Sequence, residues 1–157
     1  MKKKINKSPS DSITLKTEII CSNDTNPIGI LLGGKLVSWM DIAAAITAQM
    51  HAGNICVTAE INKVSFFRSA NEGDVLIIKS VITCAFNTSM EVYVSVNKID
   101  FNGDKNSLIS DGYFYFVSID KKGVPKKVPE LLAETKEEKL AYNAALKRKM
   151  QMKLGEM

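Results

Sequence analysis

The chain has 157 residues, 45% of them hydrophobic, and a formal net charge of +4. That length fits one domain that buries its own core without staples. The charge is unevenly placed: residues 1–7 carry +4, residues 8–120 carry −5 and residues 121–157 carry +5. A nucleic-acid platform would put positive charge on the folded body, so no nucleic-acid partner is expected and the basic ends read as solvated tails.

Cys21, Cys56 and Cys84 are far apart and odd in number, with no CxxC spacing and a single histidine in the chain. This argues against a disulfide framework or a structural metal site and for a reducing, cytoplasmic setting. The start, "MKKKINKSPSDS", is basic but no apolar stretch follows it, so a signal peptide is not expected. The most apolar stretch, 28–59, is interrupted by Lys35, Asp41 and His51, so no membrane insertion is expected.

In chain order, residues 1–11 read as a flexible basic lead-in, 12–130 as the folded domain and 131–157 as a charged C-terminal helix. "SITLKTEII" (12–20) alternates as a strand, and "SNDTNPIG" is turn-rich. A helix is predicted from about Gly34 to Ala52, stopped by Gly53-Asn54. The period then changes to two over 55–67, 75–86, 89–100 and 107–120, where Val, Ile, Thr, Tyr and Phe dominate. Short turns join these long segments, which predicts a meandering antiparallel sheet. The last helix, 134–154, places acids first and bases last, in accord with its macrodipole. The first helix carries apolar groups on nearly every face, which predicts burial all round. An α+β architecture, with a long curved antiparallel sheet wrapped around one central helix, satisfies both patterns.

The stretch "NPIGILLGGKLVSWMD" (26–41) allows three readings. As a phosphate loop, Gly29 to Lys35 fits G-x-x-x-x-G-K, but Leu36 stands where Ser or Thr should hold magnesium. As plain structure, Gly33-Gly34 permit close packing and Asp41 is a satisfied acid. Nothing at i±3 or i±4 is a cation, however, so Asp41 must find a distant donor or face a cleft. As an active site, Gly33-Gly34 offer free amides to an oxyanion, and Asp41 is a base or nucleophile. Eight residues separate Gly33 from Asp41, about 12 Å along a helix. One helix cannot bring both to the same carbonyl, whereas two copies across a two-fold axis can.

Taken together, Asn26-x-x-Gly29, Gly33-Gly34 and Trp39-Met40-Asp41 resemble the hotdog-fold acyl-CoA thioesterases. The likeness is to the short bacterial acyl-CoA hydrolases related to the cytosolic long-chain hydrolases of animals. "VTAEINKVSFF", "EGD", "NTSMEVYVSV", "YFYFVSID" and "GVPKKVP" extend it over roughly 13–140. The resemblance implies hydrolysis of an acyl-CoA by a homodimer or a trimer of dimers, or, as the alternative, acyl-CoA binding without turnover. It implies Asp41 as base or nucleophile, Asn26 orienting water or the carbonyl across the interface, and Gly33 or Gly34 donating an amide. No metal or cofactor is implied; CoA enters as part of the substrate. Phe66, Arg68, Thr88 and Ser89 are the candidate CoA contacts. The chain departs from the family where Phe86-Asn87 replace a glycine and an arginine before "TSM", and where "RSANEGD" lacks the usual proline. Elsewhere, His51 reads as a surface or charge-dipole residue at the helix end, and the aromatics of 113–116 as core.

Overall fold

The computed structural model describes residues 6–103 and 105–156. A 3-10 turn (Pro9–Ser12) leads into strand β1 (Thr14–Ile19), and a second 3-10 turn (Ser22–Asp24) follows it. Then come helix α1 (Gly33–Ala52), strands β2 (Cys56–Phe66), β3 (Val75–Ala85), β4 (Ser89–Lys98) and β5 (Ser107–Ser118), and helix α2 (Lys136–Gly155). The strands form one sheet in the order β1-β3-β4-β5-β2, every neighbouring pair antiparallel. The meander predicted for the four later strands is present for β3, β4 and β5, whereas β2 departs from it, pairing with β5 and not with its chain neighbour β3. β2 pairs only with β5 and leaves its other edge open.

Alternation assigns the two faces. Met90, Val92, Val94 and Val96 of β4 join Phe114 and Phe116 of β5 in the core with α1. The intervening Glu91 and Tyr115 are also buried, on the side that α2 covers through Arg148. The aromatic run 113–116 is thus divided between the two faces rather than presented to solvent. Small residues on α1, Ala43, Ala44 and Ala48, let the helix backbone lie close to the sheet. Ser80 donates its hydroxyl to the Ala43 carbonyl (3.0 Å), which satisfies a polar group inside that contact.

Helix α1 ends as its sequence predicts. Gly53 takes the left-handed conformation (φ 68°) and its amide donates to the Gln49 carbonyl at 2.8 Å. Burial all round is not observed within one chain: Ile42, Ile46 and Met50, one turn apart, are 46%, 41% and 47% exposed. A five-stranded sheet with an open β2 edge covers only part of the helix perimeter. Val57 and Ile61 on β2 are exposed as well.

The expectation of a flexible lead-in also needs correction over its described part. The Lys7 amide donates to the Glu130 carbonyl (3.1 Å), and its own carbonyl accepts from Leu132 (2.8 Å). Its ammonium reaches the Met50 carbonyl near the C-terminus of α1 (2.8 Å), where the helix dipole favours a cation. Pro9 and Ser12 are buried. Backbone pairing with the exit loop fixes this segment; residues 1–5 lie outside the described residues.

α2 starts at a full capping box, with the Thr135 hydroxyl accepting from the Glu138 amide and the Glu138 carboxylate accepting from the Thr135 amide. Its anchor is Glu91, which is fully buried. Arg148 donates to both Glu91 oxygens (3.0 and 2.7 Å), Thr83 donates to one (2.6 Å), and the Tyr115 hydroxyl donates to the other.

Candidate active site

The turn before α1 is built around Asn26. Its side-chain oxygen accepts from the Ile28 and Ile30 amides (3.1 and 3.0 Å), and its carbonyl accepts from Gly29 (3.0 Å), which sits at φ 76°. Two backbone donors fix which side-chain atom is oxygen. The Asn26 Nδ2 group therefore faces away from the turn and has no hydrogen-bond partner among the described residues. Asn26 is both a turn residue and an oriented donor.

Leu32 occupies the N-cap of α1, where Ser, Thr, Asp or Asn would normally accept an amide, and it provides no cap. The Leu36 amide reaches the Leu32 carbonyl (3.1 Å). The amides of Gly33, Gly34 and Lys35 have no partner among the described residues. Gly33 and Gly34 expose these donors without side chains of their own, while the Phe66 ring lies against Gly33, 3.5 Å from where a Cβ would stand.

Lys35 resolves the phosphate-loop reading. Its ammonium pairs with the Asp24 carboxylate at 3.2 Å and lies over the Trp39 ring, 5.8 Å from its centre. Asp24 also accepts from the Cys21 amide (2.9 Å). That amide holds its carboxyl below the ordinary carboxylate range, with Lys35 assisting and burial opposing. The Asp24 carbonyl accepts from Leu32 (3.0 Å), so this buried acid splints the loop to the helix start. The sequence reading did not single out Asp24.

Asp41 lies two turns along α1 from the free amides and is half-buried. The distant donor it needs is Thr58 on β2, whose hydroxyl donates to Asp41 Oδ1 at 2.9 Å. The second oxygen has no partner among the described residues. Thr58 was missed in the sequence because it is one small polar residue in a strand-forming segment, and its partner is seventeen residues away.

The CoA candidates separate into two groups. Phe66 pairs in register with Ser110 at one end of β5, and Ser89 pairs with Val117 near the other. Seven positions of extended strand span about 23 Å. Thr88 lies with Ser89, its carbonyl accepting from the Ser118 amide (2.9 Å). Arg68 stays with Phe66 and donates to the Leu108 carbonyl (3.5 Å). One chain therefore does not bring these four residues together. The bulge in β2 that swings Phe66 toward α1 has Lys63 at φ 55°, and Gly112 opposite it has no room for a Cβ, which would stand 2.8 Å from Val64.

His51 is buried, contrary to the surface reading. Its Nε2 meets the Pro129 carbonyl at 2.9 Å and its buried Nδ1 has no partner among the described residues. Burial pushes its pKa below the ordinary value, with the Pro129 carbonyl opposing. The hydrogen bond to the exit loop explains why the residue lies inside. Cys56 and Cys84 are buried free thiols, both pushed up to about 11 by burial. No cluster of three metal-ligating side chains occurs among the described residues.

Comparison with known proteins identifies the family. The model of the thioesterase superfamily matches residues 28–100. An uncharacterized acyl-CoA thioester hydrolase, YkhA of Bacillus subtilis, is 34% identical over 88% of this chain and 80% of its own length. The chain spans about a third of the length of the mammalian cytosolic acyl coenzyme A thioester hydrolases it matches. The acyl-CoA hydrolase of Staphylococcus aureus, solved with butyryl coenzyme A, coenzyme A and coenzyme A disulfide, is 35% identical with a TM-score of 0.91. That match covers 97% of this chain and 93% of the other. The same enzyme has been solved with an asparagine, an aspartate and a threonine each replaced by alanine. Those positions are fifteen and seventeen residues apart, the spacing of Asn26, Asp41 and Thr58 here. An apo-hexameric acyl-CoA thioesterase is 36% identical with a TM-score of 0.90, over 94% of this chain and 95% of the other. With this identity across most of both chains and the same fold, the chain belongs to the thioesterase superfamily.

Proposed function

We propose that two copies of this chain hydrolyse acyl-CoA thioesters to free acid and CoA at sites shared between them. The observation that carries this reading is Asp41, held by Thr58 through one oxygen with the other free, beside an unpaired strand edge. The edge of β2 and the Ile42, Ile46, Met50 stripe are the surfaces a second copy would cover. Laying β2 antiparallel on its copy sets the Phe66 end of one chain beside the Cys56 end of the other. Residues Thr88 and Ser89 of that second chain stand near the same end. The four CoA candidates then meet across the axis, as do the Gly33-Gly34 amides of one copy and Asp41 of the other. The hexameric relative supports assembly beyond a monomer, and a trimer of dimers repeats the same shared site.

In this arrangement the thioester carbonyl oxygen accepts from the Gly33 and Gly34 amides, strengthened by the helix dipole. Asn26 Nδ2 donates to the carbonyl or to water. Asp41 either takes a proton from water as it adds to the carbonyl carbon or attacks that carbon itself. The carbon–sulfur bond breaks, and CoA leaves as a thiolate that takes up a proton. On the direct route, water then hydrolyses the acyl-aspartate. Thr58 orients the carboxylate in both cases. The amides polarise the carbonyl, so the reading calls for no metal or redox group, and CoA takes part as substrate. Three free cysteines fit a reducing cytoplasm, and no helix among the described residues is long and apolar enough to cross a membrane.

The test is thiol release from acyl-CoA by wild type and Asp41→Ala, with oligomeric state measured on both. Turnover lost in a folded oligomer supports the proposal. Wild-type rates in the variant remove Asp41 from the mechanism, and CoA-ester binding without thiol release by wild type makes the protein a binding module.

A further inference from the structure

Beside the start of α1 lies a crevice of about 400 Å³. Its rim is formed by exposed residues, among them Gly33, Phe66 and Phe67, and its floor by the buried Leu31, Leu36, Ala70 and Ile109. We propose that this crevice receives the acyl chain of the substrate and that Ala70 and Ile109 at its floor set the longest chain accepted. The inference rests on the thioesterase reading above and goes beyond it by naming the chain-length filter.

Three observations favour an alkyl tail over the pantetheine arm of CoA. The crevice begins at Gly33, whose free amide is the proposed carbonyl donor, so whichever group follows the carbonyl enters directly. The four floor side chains are hydrocarbon. Two of the floor's backbone carbonyls are also occupied: the Ala70 carbonyl accepts from Leu31 (2.8 Å) and the Ile109 carbonyl accepts from Phe67 (2.8 Å). The two amides of a pantetheine arm would find no side-chain partner on that floor and would bear the cost of buried polar groups. Methylenes lose nothing.

Size then sets a limit. A chain carbon fills roughly the same 30 Å³ as a water molecule in the liquid, so the crevice holds on the order of twelve carbons. Ala70 is the smallest floor residue, so enlarging it shortens the space. Ile109, beside it on β5, closes the floor with a branched side chain, so truncating it lengthens the space.

The experiment measures kcat/KM of the full-length protein for acyl-CoAs from acetyl to palmitoyl, in wild type, Ala70→Leu and Ile109→Ala. Wild type should rise with chain length to about twelve carbons and then level or fall. Each methylene denied burial is worth about fourfold, so the three carbons added by Ala70→Leu should lower the dodecanoyl-to-butyryl ratio on the order of 50-fold. Ile109→Ala should move the optimum to longer chains. Oppositely directed shifts support the proposal. An unchanged ratio in both variants overturns it while leaving the hydrolase intact. A loss equal at every chain length in folded variants also overturns it, because the crevice then serves the CoA arm. If Ala70→Leu fails to fold, Ile109→Ala decides alone, and an unchanged profile rejects the filter. No thiol release by wild type from any acyl-CoA rejects the underlying reading as well.

Discussion

Asp41 and Glu91 are two carboxylates served by opposite sides of one sheet, and their surroundings could hardly differ more. Glu91 is fully buried and accepts four hydrogen bonds, two of them from Arg148. Asp41 is half-buried and accepts one, from Thr58. A saturated acid has no lone pair to offer a substrate, and its chemistry is spent on holding α2 to β3, β4 and β5. An acid with one oxygen oriented and the other free is prepared to take a proton or attack a carbonyl. Burial alone would have pointed to Glu91 as the unusual group. The count of partners points to Asp41.

The sharpest way to break this contrast is to remove each acid in turn. Asp41→Ala should cut turnover on the order of 10³-fold, within the range for a lost acid–base group, while the thermal transition stays near wild type. A thiol-release assay paired with calorimetry reads both. Glu91→Ala should do the reverse, losing about 3 kcal/mol of stability because Arg148 is left without its buried partner. Denaturant titration measures that loss, and activity per folded molecule should hold. Exchanged outcomes would mean that the two roles have been assigned to the wrong acids.

A smaller effect tests the orientation of Asp41. Thr58→Val removes one hydrogen bond to a charged group, worth about 1.5–3 kcal/mol, so kcat should fall about 10- to 100-fold with KM little changed. A change confined to KM would show that Thr58 touches substrate instead.

His51 extends the contrast to a third kind of buried titratable group, one with a single partner and an orphaned nitrogen. Its folded pKa is depressed chiefly by burial, and Lys7 and Asp11 act on it in opposite directions. The unfolded chain therefore takes up the proton first. The stabilising contribution is present above the unfolded value of about 6.5 and is lost as pH falls toward the folded value. Unfolding free energy should decline below pH 6.5 by up to about 1.4 kcal/mol per pH unit. His51→Gln should flatten that part of the profile, as urea titrations at several pH values would reveal.

Much of this was legible in the chain because periodicity is local. The strands alternate, α1 stops at Gly53, and Asp41 stood out as a carboxylate without a cation on its own helix. What could not be read depends on distant partners. Thr58 gains meaning only when β2 lies beside α1. Arg148 counted as one more base on a charged helix, yet it reaches an acid 57 residues away. The lead-in from Lys7 was read from composition, but its backbone pairs with the exit loop. Phe66, Arg68, Thr88 and Ser89 were grouped by family likeness, and a single copy keeps the two pairs at opposite ends of β5.

The strand order has a consequence for how the chain emerges from the ribosome. β2 is made before β3 and β4, but its only strand partner among the described residues is β5, which ends at Ser118. More than fifty residues must be synthesised before β2 can dock. Until then an unpaired, Ile- and Val-bearing ribbon waits beside the apolar stripe of α1. Such late, long-range pairing slows folding and exposes sticky surface. Nascent chains of this protein should therefore depend on chaperone cover most between the completion of β2 and the arrival of β5.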